Sequence, residues 1–256
     1  MVAFQGKGGA LTAVGLAAAA TAIGVGVAEI WTVLSVETLG AGFLSDRRPL
    51  ILFERHVFSA RTGGRFDTRF PDISNSTCGG YGQMGAAQYD RLAKAMALDA
   101  TAAEESTSWG IGQVMGHHAR RLGFASAEAM VAAMLEGEDA QLLVMAKFIA
   151  EGKPCRQALI RHDWSTFARC YNGAAYAKNR YDERLAQQFR RWAEGPLPDL
   201  RVRSAQIYLT YRGFAPGPSD GLIGRFTRQA LASFQQQQGL AVTGEPDDAT
   251  MRHLAA

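Results

Sequence analysis

VLSVETLGAGF at 33–43 and PLILFERHVF at 49–58 each set one glutamate, Glu37 and Glu54, in an otherwise apolar run near the N-terminus. Val27, Ile30 and Leu34 recur at helical spacing, and Glu37 follows Leu34 by three residues, so the pattern places its carboxyl on the apolar face at a helix end. Burial there disfavours the ionised form, and the helix C-terminal dipole acts in the same direction, so a raised pKa is expected. Gly40 and Gly42 let the chain turn sharply and leave the carboxyl at a rim. Glu54 closes the run Leu50–Phe53, a short strand or buried extended turn, and precedes Arg55 and His56. Each glutamate also has a bland alternative. Glu37 can be a helix-end partner of Arg47 or Arg48, and Glu54 can pair with Arg55 or His56.

Taken together, two carboxyls in unlike surroundings suit cleavage of a glycosidic bond. One acid must stay protonated to donate to the leaving oxygen, and the other must stay ionised to stabilise or attack the developing oxocarbenium ion. The rest of the first 193 residues reads as mostly α, because helical period dominates from 84 to 193. QYDRLAKAMAL, AEAMVAAMLEG, EDAQLLVMAKFIAEG, DWSTFARCY and YAKNRYDERLAQQFRRW each predict a helix, with Ser126 and Asp163 as N-caps. TCGGYGQMG at 77–85 is loop. Gly195, Pro196 and Pro198 break the last long helix, and the pattern restarts after them. Two domains are therefore expected, 1–195 and 196–256.

At 256 residues, with 47% hydrophobic and 20% charged side chains, the composition sets aside disordered and fibrous classes. A net charge of +3 is a mild bias towards anionic polymers. Cys78, Cys155 and Cys170 are odd in number and lack metal-ligand spacing, which argues against a disulfide framework and a zinc site and for a reducing compartment. Residues 8–28 carry no charge but are mostly Ala, Gly and Thr. They read as one soluble helix, roughly 10 to 23, closed by Gly24, in place of a signal peptide or span, although a releasable membrane anchor stays open.

The order VETLGAGFL, ILFERHVF, SWGIGQVMG and FARCYNGAAYAKNRYDERL resembles the phage-type N-acetylmuramidase family of the lysozyme superfamily, over about residues 10 to 193. The resemblance implies a lysozyme-like α-helical catalytic domain with a small strand and loop region, Glu37 as general acid and Glu54 as second carboxylate. Thr38 stands where Ser is usual and keeps a hydroxyl. It further implies a sugar-binding role for Ser108, Trp109, Gly110 and Gln113, with the glycine admitting the sugar and the glutamine offering its amide. Trp109 can stack on a pyranose or simply be core. Tyr171 and Asn172 resemble the Y-N-G element that lines the cleft, and Asn172-Gly173 can equally end a helix. Tyr81 and Tyr176 are weaker candidates for the cleft wall.

Residues 200–254 resemble a small three-helix peptidoglycan-binding module, on Asp220, Gly221, Gly224, Thr227 and the residues after them. Thr227 can cap the helix TRQALASFQQQ, and Leu209, Leu231, Phe234 and Leu254 supply a core. Tyr208, Tyr211, Arg212 and Asp220 are the candidates for wall contact, and a tethered module would act by avidity. The expectation as a whole is an endolysin-type muramidase, monomeric, with no cofactor or metal. Its partner is peptidoglycan glycan strands, without nucleic acid or stable membrane association. It would be made in the host bacterial cytoplasm and act on the wall in the periplasm after release. A lytic transglycosylase, a secreted effector with the same chemistry and a non-catalytic wall-binding protein are the competing readings.

Overall fold

The computed structural model describes residues 4–37, 41–173, 177 and 179–255. Thr38, Gly40 and Tyr176 fall outside the described residues. Two helices open the chain, α1 (Ala13–Ile23) and α2 (Val27–Glu37), followed by β1 (Ile51–Phe53) and α3 (Arg55–Thr62). Next come α4 (Ala87–Met96), α5 (Ala100–Glu105), β2 (Thr107–Trp109) and β3 (Val114–Met115). The helical part continues with α6 (Ala127–Met134), α7 (Glu138–Glu151), α8 (Lys153–Ile160), α9 (Trp164–Asn172) and α10 (Tyr181–Glu194). Three helices complete the chain: α11 (Leu200–Tyr211), α12 (Arg225–Gln237) and α13 (Asp248–Ala255).

Helix α1 begins where the Thr12 hydroxyl accepts the Gly15 amide at 3.1 Å, and it ends at Gly24, whose φ of 84° only glycine adopts freely. Its Leu16, Ala19, Ala20 and Ile23 face inward, and it lies along α7. Helix α2 leaves at 101° to it, and among the described residues no single helix is long and apolar enough to cross a membrane. Helix α2 does terminate on Glu37, but Ile30, Trp31, Thr32, Val33, Leu34 and Val36 are all buried, so the helix is enclosed on every side and not along the single apolar face that the spacing suggested. Ser126 and Asp163 cap α6 and α9 as expected, each accepting an amide three residues on. Helix α10 starts at Tyr181, later than the run YAKNRYDERL suggested.

The sheet was legible only at β1. It runs β1-β2-β3, antiparallel, with Leu52 opposite Ser108 and Ser108 opposite Met115. Strands of two and three residues are too short to show alternation. The turn between β2 and β3 needs a positive φ at Gly110 (68°) and at Gln113 (47°).

Two expectations are corrected here. Cys155 of α8 and Cys170 of α9 are joined as a disulfide with Cα atoms 5.6 Å apart, and only Cys78 is a free thiol, exposed on the 77–85 loop. An odd count excludes neither one bridge nor a spare. Thr227 does not cap α12, which starts beyond Gly224. Its hydroxyl, 2% exposed, donates to the Pro216 carbonyl and accepts from the Gln206 amide. The C-terminal helices do enclose their own core of Ala205, Leu209, Leu231, Phe234 and Leu254. Yet α11 also packs on the larger part of the molecule, where Leu200 joins the main core.

Candidate active site

Glu37 ends α2 with its carboxyl beside α9 and α10. Its Oε1 accepts from Asn172 Nδ2 at 3.4 Å, and the Arg184 guanidinium supplies the nearby positive charge. Desolvation outweighs both, so the pKa is raised from 4.5 to about 8. Arg47 and Arg48 are not its partners. Arg48 pairs with Asp46 at 2.7 Å, and Arg47 lies over the Tyr211 ring. Asn172 ends α9 just before Gly173 at φ 79°, so the helix-end and site readings of Tyr171-Asn172-Gly173 hold together. The buried Tyr171 phenol donates to the Gly112 carbonyl at 2.6 Å. Burial, and then the Glu37 charge, push its pKa well above the phenol range.

Glu54 sits one residue past β1, as the N-cap of α3. Its amide donates to the Ser106 carbonyl at 2.9 Å and its carboxyl makes no capping bond. That leaves the carboxyl for the site. His56 Nδ1 lies 3.2 Å from Oε2, and the Tyr81 phenol is a hydrogen-bond partner. Burial raises the Glu54 pKa, while His56 and Tyr81 act against that rise. Arg55 turns away to the Pro71 carbonyl, so of the two ion-pair alternatives only the His56 contact forms. Tyr81 is held from the other side by Cys78 Sγ at 3.5 Å. Its phenol is pushed up by that contact, by burial and by the Glu54 charge.

A continuous set of contacts links the two carboxyls. Glu37 touches Asn172, Tyr171 reaches Gly112, and the hairpin containing Gly112 pairs through Ser108 with β1, which runs into Glu54. Within that hairpin the structure reassigns the expected sugar-binding residues. Trp109 is fully buried and its Nε1 donates to the Glu104 carbonyl at 3.1 Å, so it is core and cannot stack on a sugar. The Gln113 amide is spent internally, donating to Leu50 and Gly110 carbonyls and accepting from Ser108 Oγ at 2.9 Å. Gly110 is approached by Gln141, whose Cδ would lie 2.6 Å from an added Cβ, so packing demands the glycine. Gln141, fully buried, also accepts the Ile111 amide at 2.8 Å. Neither Gln141 nor Arg184 stood out in the sequence, since each lies in an ordinary helical pattern.

The wall-contact candidates divide similarly. Tyr208 and Tyr211 face the larger domain: the Ala10 amide donates to the Tyr208 oxygen at 3.4 Å, and Gly8 lies against the Tyr211 ring. Asp220 accepts from Gln206 and the Leu222 amide, and lines a cavity of about 170 Å³ with Trp31, Trp192 and Arg191. Arg212 is exposed and donates to the His253 carbonyl at 3.0 Å. Among the described residues the exposed large apolar side chains of residues 196–256 are Leu197, Leu222, Phe226 and Val242. Among the described residues no group of three or more His, Cys, Asp or Glu side chains could hold a metal ion.

A mainly helical fold with a small sheet, and a helix-end glutamate that keeps its proton at neutral pH, define a lysozyme-like glycoside hydrolase. The sequence model of N-acetylmuramidase matches residues 26–193, and that of a peptidoglycan binding domain matches residues 199–254. The chain belongs to the N-acetylmuramidase family. Among solved structures it is similar to the Burkholderia AP3 phage endolysin at 40% identity and a TM-score of 0.67, covering 72% of this chain and 71% of that one. No curated protein matches.

Proposed function

We propose that the chain is an endolysin-type muramidase hydrolysing the β-1,4 bond between N-acetylmuramic acid and N-acetylglucosamine, with Glu37 as acid and Glu54 as second carboxylate. Residues 1–195 are the catalytic domain in this reading, and 196–256 the wall-binding module. The observation that carries it is the Glu37 carboxyl, held protonated to about pH 8 by burial at the end of α2. From there it donates its proton to the glycosidic oxygen as the bond breaks. Glu54 has two counterweights to burial, His56 and the Tyr81 hydroxyl, which favour its ionised form beside the developing positive charge. The likeness to a phage endolysin supports a lytic role on the bacterial wall, reached after synthesis in the host. Wall contact is assigned to the exposed Phe226 and Leu222, which line one cavity, together with the exposed Arg212, because Tyr208 and Tyr211 are turned to the N-terminal segment.

Mass spectrometry of soluble products from purified peptidoglycan tests the reading. Reducing-end muramic acid from the wild type, lost in folded Glu37→Gln and Glu54→Gln proteins, is the expected result. A product lighter by one water, with Glu54→Gln still active, would instead make the enzyme a transglycosylase.

A further inference from the structure

Arg203, on α11 of the C-terminal module, is 1% exposed and directs Nη1 and Nη2 at Oε2 and Oε1 of Glu138, at 2.5 and 2.9 Å. Glu138 opens α7 in the larger domain and is equally buried. The same carboxylate accepts two backbone amides, Leu11 at 2.9 Å and Gly42 at 2.8 Å. Gly42 lies five residues after Glu37 in the chain. The Arg203 guanidinium also lies 5.8 Å from the Trp31 ring centroid, on the helix that ends at Glu37. One turn along α7, Gln141 fills the space beside Gly42 and Gly110 and holds the Ile111 amide. Arg203 thus meets the helix that ends at the acid directly, at Trp31, and Gly42 beyond the acid through one carboxylate.

We propose that Arg203 is a positioning residue for the hydrolysis: docking of the module fixes, through Glu138 and Gly42, the segment that carries Glu37. The inference rests on the reading of Glu37 as the acid. A carboxylate this deeply buried is stable only with its guanidinium, and left alone it must gain a proton or admit water. Either change weakens its hold on the Gly42 amide. The groups facing Glu37 itself, Arg184 from α10 and Asn172 and Tyr171 from α9, are untouched by a change in α11. A shift in the titration of Glu37 therefore reports movement of its segment.

The test uses the full chain with Arg203→Met, with Arg203→Met combined with Glu138→Gln, and with Arg203→Lys, on short soluble glycan strands and on intact sacculi. The double variant leaves no unpaired buried charge, and Arg203→Lys keeps the pair, so a folded protein is available even where Arg203→Met unfolds. On the soluble strands, where avidity contributes nothing, the expected result is a fall in kcat of about tenfold or more with KM within about twofold. The alkaline limb of the pH profile should move down by about half a unit or more as Glu37 gains water, with partial rescue in Arg203→Lys. Wild-type kcat and pH profile in the folded variants, with only sacculus clearing impaired, would overturn the proposal and leave the module a tether. Activity surviving in Glu37→Gln would overturn the underlying reading of the acid, whatever Arg203 does.

Discussion

Replacing Glu37 by Gln should stabilise the protein while abolishing its chemistry. In the unfolded chain the carboxyl ionises near 4.5, and in the folded protein it holds its proton to about 8. Between those values the folded state binds the extra proton, so stability falls as pH rises, by about 1.4 kcal/mol per unit. Below 4.5 both states are protonated and the residue costs nothing, and above 8 the cost is constant. At pH 7 the interval from the unfolded value is about 2.5 units, or about 3 kcal/mol. Glu37 keeps part of its surface in water, so about 2 kcal/mol is the working figure. Glutamine has nearly the same shape and keeps an oxygen towards Asn172, so the difference between the two proteins isolates the titration. Any contribution from Glu54 is common to both and cancels.

Urea denaturation of the wild type and Glu37→Gln at pH 4, 7 and 9, with sacculus clearing measured in parallel, carries the assay. The two proteins should be nearly equal in stability at pH 4. Glu37→Gln should then be ahead by about 2 kcal/mol at pH 7 and by more at pH 9. In activity, the wild-type rate should fall as pH passes through about 8, when the acid loses its proton. A stability difference that does not change with pH would refute the claim that burial keeps this acid protonated.

Reducing the Cys155–Cys170 bridge, whose partners lie 15 residues apart, should cost about 3 kcal/mol and lower Tm. Thiol titration should find one reactive group, Cys78, in the native protein and three after reduction in denaturant. Trp109→Phe should lower stability by about 1–3 kcal/mol, through lost volume and a stranded Glu104 carbonyl, while leaving KM unchanged. A raised KM would put Trp109 back in the cleft. Gly110→Ala meets both a φ of 68° and the Gln141 side chain, and should cost about 1–3 kcal/mol with reduced activity, read by thermal melts and initial rates. A Gly110→Ala protein as stable as wild type would mean that Gln141 does not brace the hairpin.

What was legible in the sequence is what local pattern determines. The apolar run from 27 to 36 placed the acid at the end of a buried helix, although burial all round α2 means that the 27, 30, 34 and 37 spacing did not single out an inward face. The N-caps at Ser126 and Asp163 were readable from local pattern too. Partners from distant elements were not. Trp109 between small residues suits a sugar platform or a core equally, and only the Glu104 carbonyl behind it decides. The pairing of Cys155 with Cys170 depends on how α8 packs on α9. Helix α11 is the sharpest case. The sequence reading took Tyr208 and Tyr211 as free to meet the wall, whereas Tyr208 packs on the module's own core and both tyrosines also meet the N-terminal segment. Its buried residues, Val202, Arg203, Ala205, Gln206, Ile207 and Leu209, run round the helix without a single apolar stripe. A helix buried on both sides is clamped between two cores, and that absence of a stripe was the available sign that the module is docked and not merely tethered.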